Sequence, residues 1–230
     1  MKTAIVLPTY LIDEENLAHH RAFMNSLRET ESDSQWEIVI VDNGSKLGQF
    51  ELEADGDHYI RFEEPLGYAR AVNLGIRHAL NNCNEGAGLE RVIVANNDLV
   101  FDEDGWLAQM HAAYDAHGGV LSAQDTRAHT DEYYPNESWY SFWMIDVPTW
   151  KAIGELDDEK LNYRFHDQDY SIRAVQAGFN VGRTGHVQVR HANSATYKKM
   201  NRNEDPEERE EMIRRHGHAL FSDWYKATHA

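Results

Sequence analysis

The sequence predicts an α/β protein in which a mostly parallel sheet is flanked by helices, and three observations predict it. Ala4-Ile5-Val6-Leu7, Glu37-Ile38-Val39-Ile40-Val41 and Arg91-Val92-Ile93-Val94-Ala95 are near-continuous apolar runs of the kind buried on both faces of a sheet. Between them, apolar residues recur at helical spacing. Each run also stops at a short polar segment, as strands do when they feed loops at one edge of such a sheet.

Taken in order, the strand at 4–7 leads into a helix in which Leu17, Met24 and Leu27 share a face behind an Asp13 cap. The strand at 37–41 is followed by a weaker one, His58-Tyr59-Ile60-Arg61, and by a helix marked by Ala69, Val72, Ile76, Ala79 and Leu80. After the strand at 91–95 comes a helix carrying Trp106, Leu107, Met110, Ala113 and Tyr114. Right-handed crossovers would stack these strands into one sheet over residues 4–116. Gln124 to Ser138 is polar and aperiodic and reads as a long surface loop. Ser141 to Val147 then reads as a strand, Pro148 to Ile153 as a short helix opening on proline, and Tyr170 to Ala177 as a helix stopped by Gly178. Asn180 to Val189 suggests a final strand pair. Pro206 to Tyr225 has first-turn acids that suit a helix dipole and an apolar side of Met212, Ile213, Leu220 and Phe221. No repeat or composition break divides the chain, so one domain over residues 1–230 is expected.

Composition narrows the function. With 22 basic against 39 acidic residues the net charge is −17, which disfavours an extended nucleic-acid footprint or an anionic membrane face. An anionic ligand held by a metal or by backbone amides stays open. Cys83 is the only cysteine, which rules out an intrachain disulfide or a multi-cysteine metal cluster. Its setting, Asn81-Asn82-Cys83-Asn84-Glu85-Gly86, reads as a polar loop without an activating base, which argues against thiol catalysis. No apolar run approaches the roughly 18 to 20 residues of a membrane span, and Met1 to Tyr10 is too short for a secretory leader, so the expected location is the cytoplasm.

The strand ends are where ligands bind in open α/β sheets. Here they read Pro8-Thr9-Tyr10, Asp42-Asn43-Gly44-Ser45 and Asn96-Asn97-Asp98. Any one alone is an ordinary turn; three on one edge mark a site. Asp98 precedes apolar Leu99-Val100-Phe101, a costly place for a carboxylate unless it is paired or bound to a cation, and a hard oxygen there suits Mg2+ or Mn2+ on a diphosphate. Gly67 stands where a helix begins and could present backbone amides to an anion, although neither a P-loop nor a three-glycine fingerprint is present. Arg70 reads equally as a solvated helix residue and as a sugar or phosphate contact. Of Asp167 and Asp169, at a later helix start, capping explains one, and the other could take a proton from an attacking hydroxyl. His191, just after a strand, is a candidate metal ligand, though single histidines are more commonly structural.

In this order, from Thr3 to about Tyr197, the segments resemble the family 2 glycosyltransferases of the GT-A fold, a Rossmann-like sheet with a C-terminal acceptor-side half. The resemblance implies that Pro8, Thr9, Tyr10 and Asp42 hold the nucleobase and ribose of a nucleotide sugar. It implies that Gly67, Arg70, Asn73 and Asn97 lie along the diphosphate and sugar, with Pro65 where asparagine is usual. Asn96-Asn97-Asp98 stands at the Asp-x-Asp motif, with Asn96 replacing its first acid and Asp98 matching its metal-binding carboxylate; His191 would complete the metal or diphosphate site. Phe165-His166-Asp167-Gln168-Asp169 looks like Phe-Glu-Asp-x-Asp, which gives Asp167 the place of the catalytic base and puts His166 where glutamate is usual.

The resemblance thus divides the chain into a nucleotide-sugar-binding half at 1–116, an acceptor and catalytic half at 117–197, and a tail with a helix at 198–230. It implies a single inverting displacement with Mn2+ or Mg2+ on the diphosphate and a UDP-sugar as the default donor. Acceptor contacts are expected from the 124–138 loop, from Trp139, Tyr140 and Trp143, and from Asp169. The acceptor is expected to be soluble: a saccharide, a protein hydroxyl, or a hydroxylated nucleobase of phage-type DNA. The last would need Lys198, Lys199, Arg202, Arg214 and Arg215 to gather into a basic patch. A sugar nucleotidyltransferase would carry a Gly-x-Gly-Thr-Arg loop after the first strand, which is absent. The alternative from another class is a non-catalytic nucleotide-sugar-binding module, suggested by the replaced acids at Asn96 and His166.

Overall fold

Strand β1 (Thr3–Thr9) has every residue buried, because helices cover both of its faces. In the computed structural model, residues 3–31, 36–83, 88–125, 132–136, 138, 140–191 and 206–217 are described. Alternation along β1 divides the core in two. Ala4 and Val6 belong to a layer with Val72, Ile76, Trp143 and Tyr170, and Ile5 and Leu7 to one with Leu17, Phe23, Trp106 and Met110.

Helix α1 (Glu14–Thr30) starts where the Asp13 side chain accepts the Asn16 amide, as its sequence predicts, and leads to β2 (Trp36–Asn43). The chain continues through α2 (Gln49–Asp55), β3 (His58–Phe62), α3 (Tyr68–Asn82), β4 (Arg91–Ala95), β5 (Leu99–Phe101) and α4 (Trp106–His117). β1 pairs in parallel with β2 and β4, and β2 with β3, so their carboxyl ends share one edge. Close approach of α3 to this sheet depends on Gly75, where an added Cβ would lie 2.3 Å from Val6 Cγ1.

The second half is mixed. It comprises β6 (Val120–Asp125), β7 (Tyr133–Pro135), β8 (Phe142–Asp146), α5 (Val147–Ile153), α6 (His166–Gln176), β9 (Val181–His191) and α7 (Pro206–His216). The sheet order is β3-β2-β1-β4-β8-β6-β9-β5, with β7 on β9. β8 runs antiparallel to both β4 and β6, and β5 antiparallel to β9.

Several elements differ from their sequence reading. α2 buries only Leu52 and leaves Phe50 84% exposed, so it shows no amphipathic period. β6 was not foreseen, and Gln124 and Asp125, read as the start of a loop, are its last residues. Tyr133–Pro135 form a strand inside that loop, while residues 126–131 and 137 lie outside the described structure. α6 begins at His166 rather than Tyr170, after Phe165 at φ 56°. The expected strand pair at the end is the single strand β9. Asn81 and Asn82 are the last turn of α3 and Cys83 is buried beside them, so the polar-loop reading fails for these three; 84–86 lie outside the described residues. The final helix is described to His216, and its expected continuation to 225 lies outside except for Gly217. Among the described residues no helix is long and apolar enough to cross a membrane.

Candidate active site

The turn Asn96–Asp98 links β4 to β5, and β5 is short because it serves to pair with the end of β9. Leu99 lies opposite His191, which brings the neighbouring Asp98 to the histidine: Asp98 Oδ1 and His191 Nε2 are 3.0 Å apart, with side chains 9% and 8% exposed. A buried carboxylate beside an imidazole, both reaching one point, is a donor set that fits Mn2+ or Mg2+. Asn97 is buried in the same turn.

Tyr68, in the first turn of α3, connects this pair to the rest of the site. Its hydroxyl donates to Asn96 Oδ1 at 3.0 Å and faces the Tyr140 carbonyl at 3.4 Å, and its ring lies 5.0 Å from that of His166. Burial, followed by the charges of Asp167 and Asp98, pushes the Tyr68 phenol above its ordinary range, so both carboxylates act on one hydroxyl. Asp167 is half-buried at the start of α6, and its Oδ1 accepts the Gln168 amide at 3.0 Å. Burial lowers the basicity of His166 against the opposing pull of Asp167 and Asp169. Its Nδ1 is buried with no hydrogen-bond partner among the described residues.

At the end of β2, Asp42 is fully buried. It accepts the Ser45 amide at 2.8 Å, the Tyr59 hydroxyl at 2.8 Å and the Arg61 guanidinium. Burial and the Asp42 hydrogen bond push the Tyr59 phenol up to about 12. Asp42 therefore fixes the turn and carries Tyr59 and Arg61. Asn43 ties the same turn to the next segment, accepting the Leu66 amide and donating to the Gly67 carbonyl. Pro8 and Thr9 are buried in β1, with the Thr9 hydroxyl donating to the Leu7 carbonyl, and Tyr10 is half-buried beyond them.

Three expected roles are corrected. Asn73 is fully buried and bridges the chain at Leu156, donating to its carbonyl at 2.9 Å and accepting its amide at 3.0 Å, so it holds α3 to the second half rather than touching a donor. Trp143 is fully buried against Tyr140 and Tyr170 and cannot stack on an acceptor. Asp169 is consumed by Arg173, Arg215 and His216. At Gly67, two of the amides at the helix start are already used: Asn162 accepts Ala69 N–H at its carbonyl and Arg70 N–H at Oδ1. An added Cβ on Gly67 would meet that side chain at 2.1 Å. The Arg70 residue is exposed on α3.

Sequence reasoning missed Tyr68 and Asn162. Tyr68 carried a signal, an aromatic residue directly after the helix-opening glycine; Asn162 carried none. Of the proposed basic patch, Arg214 and Arg215 pair with Glu211, and Lys198, Lys199 and Arg202 lie outside the described residues, as does the acceptor-side candidate Trp139.

The family model for glycosyl transferase family 2 matches residues 5–183. A search of curated protein sequences finds no match. Among solved structures, TarS residues 1–349 from S. aureus is similar, with a TM-score of 0.59 at 16% identity over 80% of this chain and 57% of that one. GalNAc-T7 with UDP, GalNAc and Mn2+ has a TM-score of 0.66 at 13% identity over 83% of this chain and 44% of that one. The mannosyltransferase PcManGT from Pyrobaculum calidifontis, in complex with GDP-Man and Mn2+, has a TM-score of 0.62 at 14% identity, covering 98% and 73%. The chain spans about half the length of the first two. These likenesses carry the GT-A fold.

Proposed function

The chain belongs to glycosyl transferase family 2, and from that premise we propose that it moves a sugar from a nucleoside-diphosphate sugar to an acceptor hydroxyl, with inversion at the anomeric carbon. The observation that supports this reading is the position of Tyr68, whose hydroxyl donates to Asn96, two residues before Asp98, and whose ring lies 5.0 Å from that of His166, the neighbour of Asp167. The residues proposed for the metal and for the base thus stand on either side of one side chain, which suits a single displacement.

In this reading Asp167 takes the proton of the acceptor hydroxyl while that oxygen bonds to the anomeric carbon, and the bond from that carbon to the diphosphate oxygen breaks on the opposite face. The products are the glycosylated acceptor and a nucleoside diphosphate. Asp98 and His191 would hold a divalent cation, which supplies positive charge for the leaving diphosphate. Residues 1–116 supply Asp98 and Tyr68, and residues 117–197 supply Asp167 and His191. The Asp42, Tyr59 and Arg61 group faces the nucleoside.

The proposed donor is a UDP-sugar, UDP being the nucleotide bound in the GalNAc-T7 structure and in one TarS structure, while the mannosyltransferase holds GDP-Man. The proposed acceptor is a hydroxyl on a saccharide, a protein or a modified nucleobase. A ligand that binds only the folded state stabilises it by about 2.7 kcal/mol at a hundredfold excess over Kd and so raises the melting temperature. A thermal-shift panel of UDP, UDP-sugars and GDP-mannose, with and without Mn2+, is therefore the test. A Mn2+-dependent shift with the uridine compounds is expected, and no shift with any nucleotide would overturn the reading. Binding without turnover or slow donor hydrolysis would leave a donor-binding module in its place.

A further inference from the structure

The donor site occupies the carboxyl ends of β1, β2 and β4, and a second group of metal-binding side chains sits at the amino ends of β2 and β3. Glu37 is the second residue of β2, His58 the first of β3, and Cys83 follows the last turn of α3, which returns to that end of the sheet. The cysteine sulfur, a ring nitrogen of His58 and a carboxylate oxygen of Glu37 all lie within 4.8 Å of one another. His58 Nε2 is 3.2 Å from Glu37 Oε2. Cys83 is 5% exposed, whereas the Glu37 and His58 side chains are 29% and 23% exposed, so the sulfur is buried and the other two donors are partly open to solvent.

A fourth donor adjoins it. The His78 ring lies edge-on to His58 with centroids 5.0 Å apart, and its Nε2 is buried without a hydrogen-bond partner among the described residues. A lone thiol in a polar protein needs no histidine pair and no carboxylate beside it. Sulfur, imidazole and carboxylate together form the mixed donor set of zinc-class cations.

We infer that Glu37, His58 and Cys83 bind a zinc-class divalent cation, with His78 beside them, at a site separate from Asp98 and His191. Tetrahedral zinc ligands are spaced roughly 3.3 to 3.8 Å apart. Glu37 and His58 already stand 3.2 Å apart, so the sulfur needs to close on them by at most about 1 Å. Binding converts the thiol to a metal-bound thiolate and releases one proton to solvent. The cation would fasten the starts of β2 and β3 to the end of α3. Donor softness separates the two sites: the thiolate selects zinc-class ions, and the carboxylate and imidazole of Asp98 and His191 suit Mn2+ or Mg2+.

Because Cys83 is the only cysteine, any thiolate signal reports this site. Metal-free full-length chain is titrated with Co2+ and read by thiolate-to-cobalt charge-transfer absorption, then with Zn2+ and read by protection of Cys83 from a thiol reagent. Saturation at one equivalent in the unsubstituted protein is expected, with the band lost in Cys83→Ser, retained in Asp98→Asn, and with binding weakened about tenfold or more in Glu37→Gln and His58→Gln. No charge-transfer band in the unsubstituted chain overturns the inference whatever the variants do. Undiminished affinity in both Glu37→Gln and His58→Gln overturns it as well, because the thiol would then bind alone.

Discussion

Asp167 and Asp169 stand two residues apart in the first turn of α6 and have opposite surroundings. Asp169 is 1% exposed and neutralised by Arg173, Arg215 and His216, while the carboxylate of Asp167 has the Gln168 amide as its hydrogen-bond donor and stays half-open. Different environments give neighbouring acids different work. Asp167→Asn is therefore expected to lower kcat by about 10²–10⁴-fold with the donor-induced thermal shift unchanged. Near-normal turnover would remove Asp167 from the role of base. Asp169→Asn should act on folding instead, costing about 1–3 kcal/mol in urea unfolding because the partly exposed Arg173 and Arg215 lose a charged acceptor. On the metal side, His191→Ala is expected to raise the Mn2+ concentration needed for half-maximal activity at least about tenfold, and an unchanged Mn2+ titration would exclude it as a ligand.

Helix α3 shows how an element positions the site. Its packing on the sheet depends on Gly75, whose place against Val6 admits no Cβ. Gly75→Ala should cost about 1–3 kcal/mol by urea midpoint and also weaken donor binding, since displacing α3 displaces Tyr68. An alanine variant as stable as the parent would show that the helix can move without loss. The long strands and their polar ends were legible in the sequence because their residue types alone mark them. α2 and β6 were not, since one has a single buried anchor and the other is a six-residue strand after two glycines. Site residues followed the same division. Asp98 and His191 announce themselves by type, but the roles of Tyr68 and Asn162 arise from partners far away in the chain, Asn162 capping Arg70 across 92 residues. Asn73, Trp143 and Asp169 sit inside motif segments and read as site residues, and only packing shows that all three are buried and that Asn73 and Asp169 are already bonded.

At the scale of the whole molecule, acid sensitivity has an identifiable source in His111. Arg91 can only donate, so Nδ1 of His111 accepts from it at 2.9 Å, and Nε2 carries the proton facing Thr3 Oγ1 at 2.9 Å. Burial, followed by the Arg91 charge, lowers its pKa from 6.5 to about 4. The unfolded chain thus takes up this proton first. The contribution of His111 is complete above 6.5, declines as pH falls through the interval, and is lost below about 4. After allowance for partial exposure it amounts to roughly 2 kcal/mol. Urea midpoints measured across that interval should fall, and His111→Gln, which can accept from Arg91 and donate to Thr3, should flatten the slope. A slope unchanged by the substitution would place the sensitivity elsewhere.

Buried Glu208 of α7 accepts the amides of Tyr163 and Arg164 at 3.2 and 2.7 Å. The residue before them, Asn162, receives the first amides of α3. The last described helix is thus linked to the start of α3 through the consecutive residues Asn162, Tyr163 and Arg164. Cutting the chain just before Pro206 should leave the sheet intact yet speed hydrogen exchange at Ala69 and Arg70, on the opposite side of the sequence from the cut.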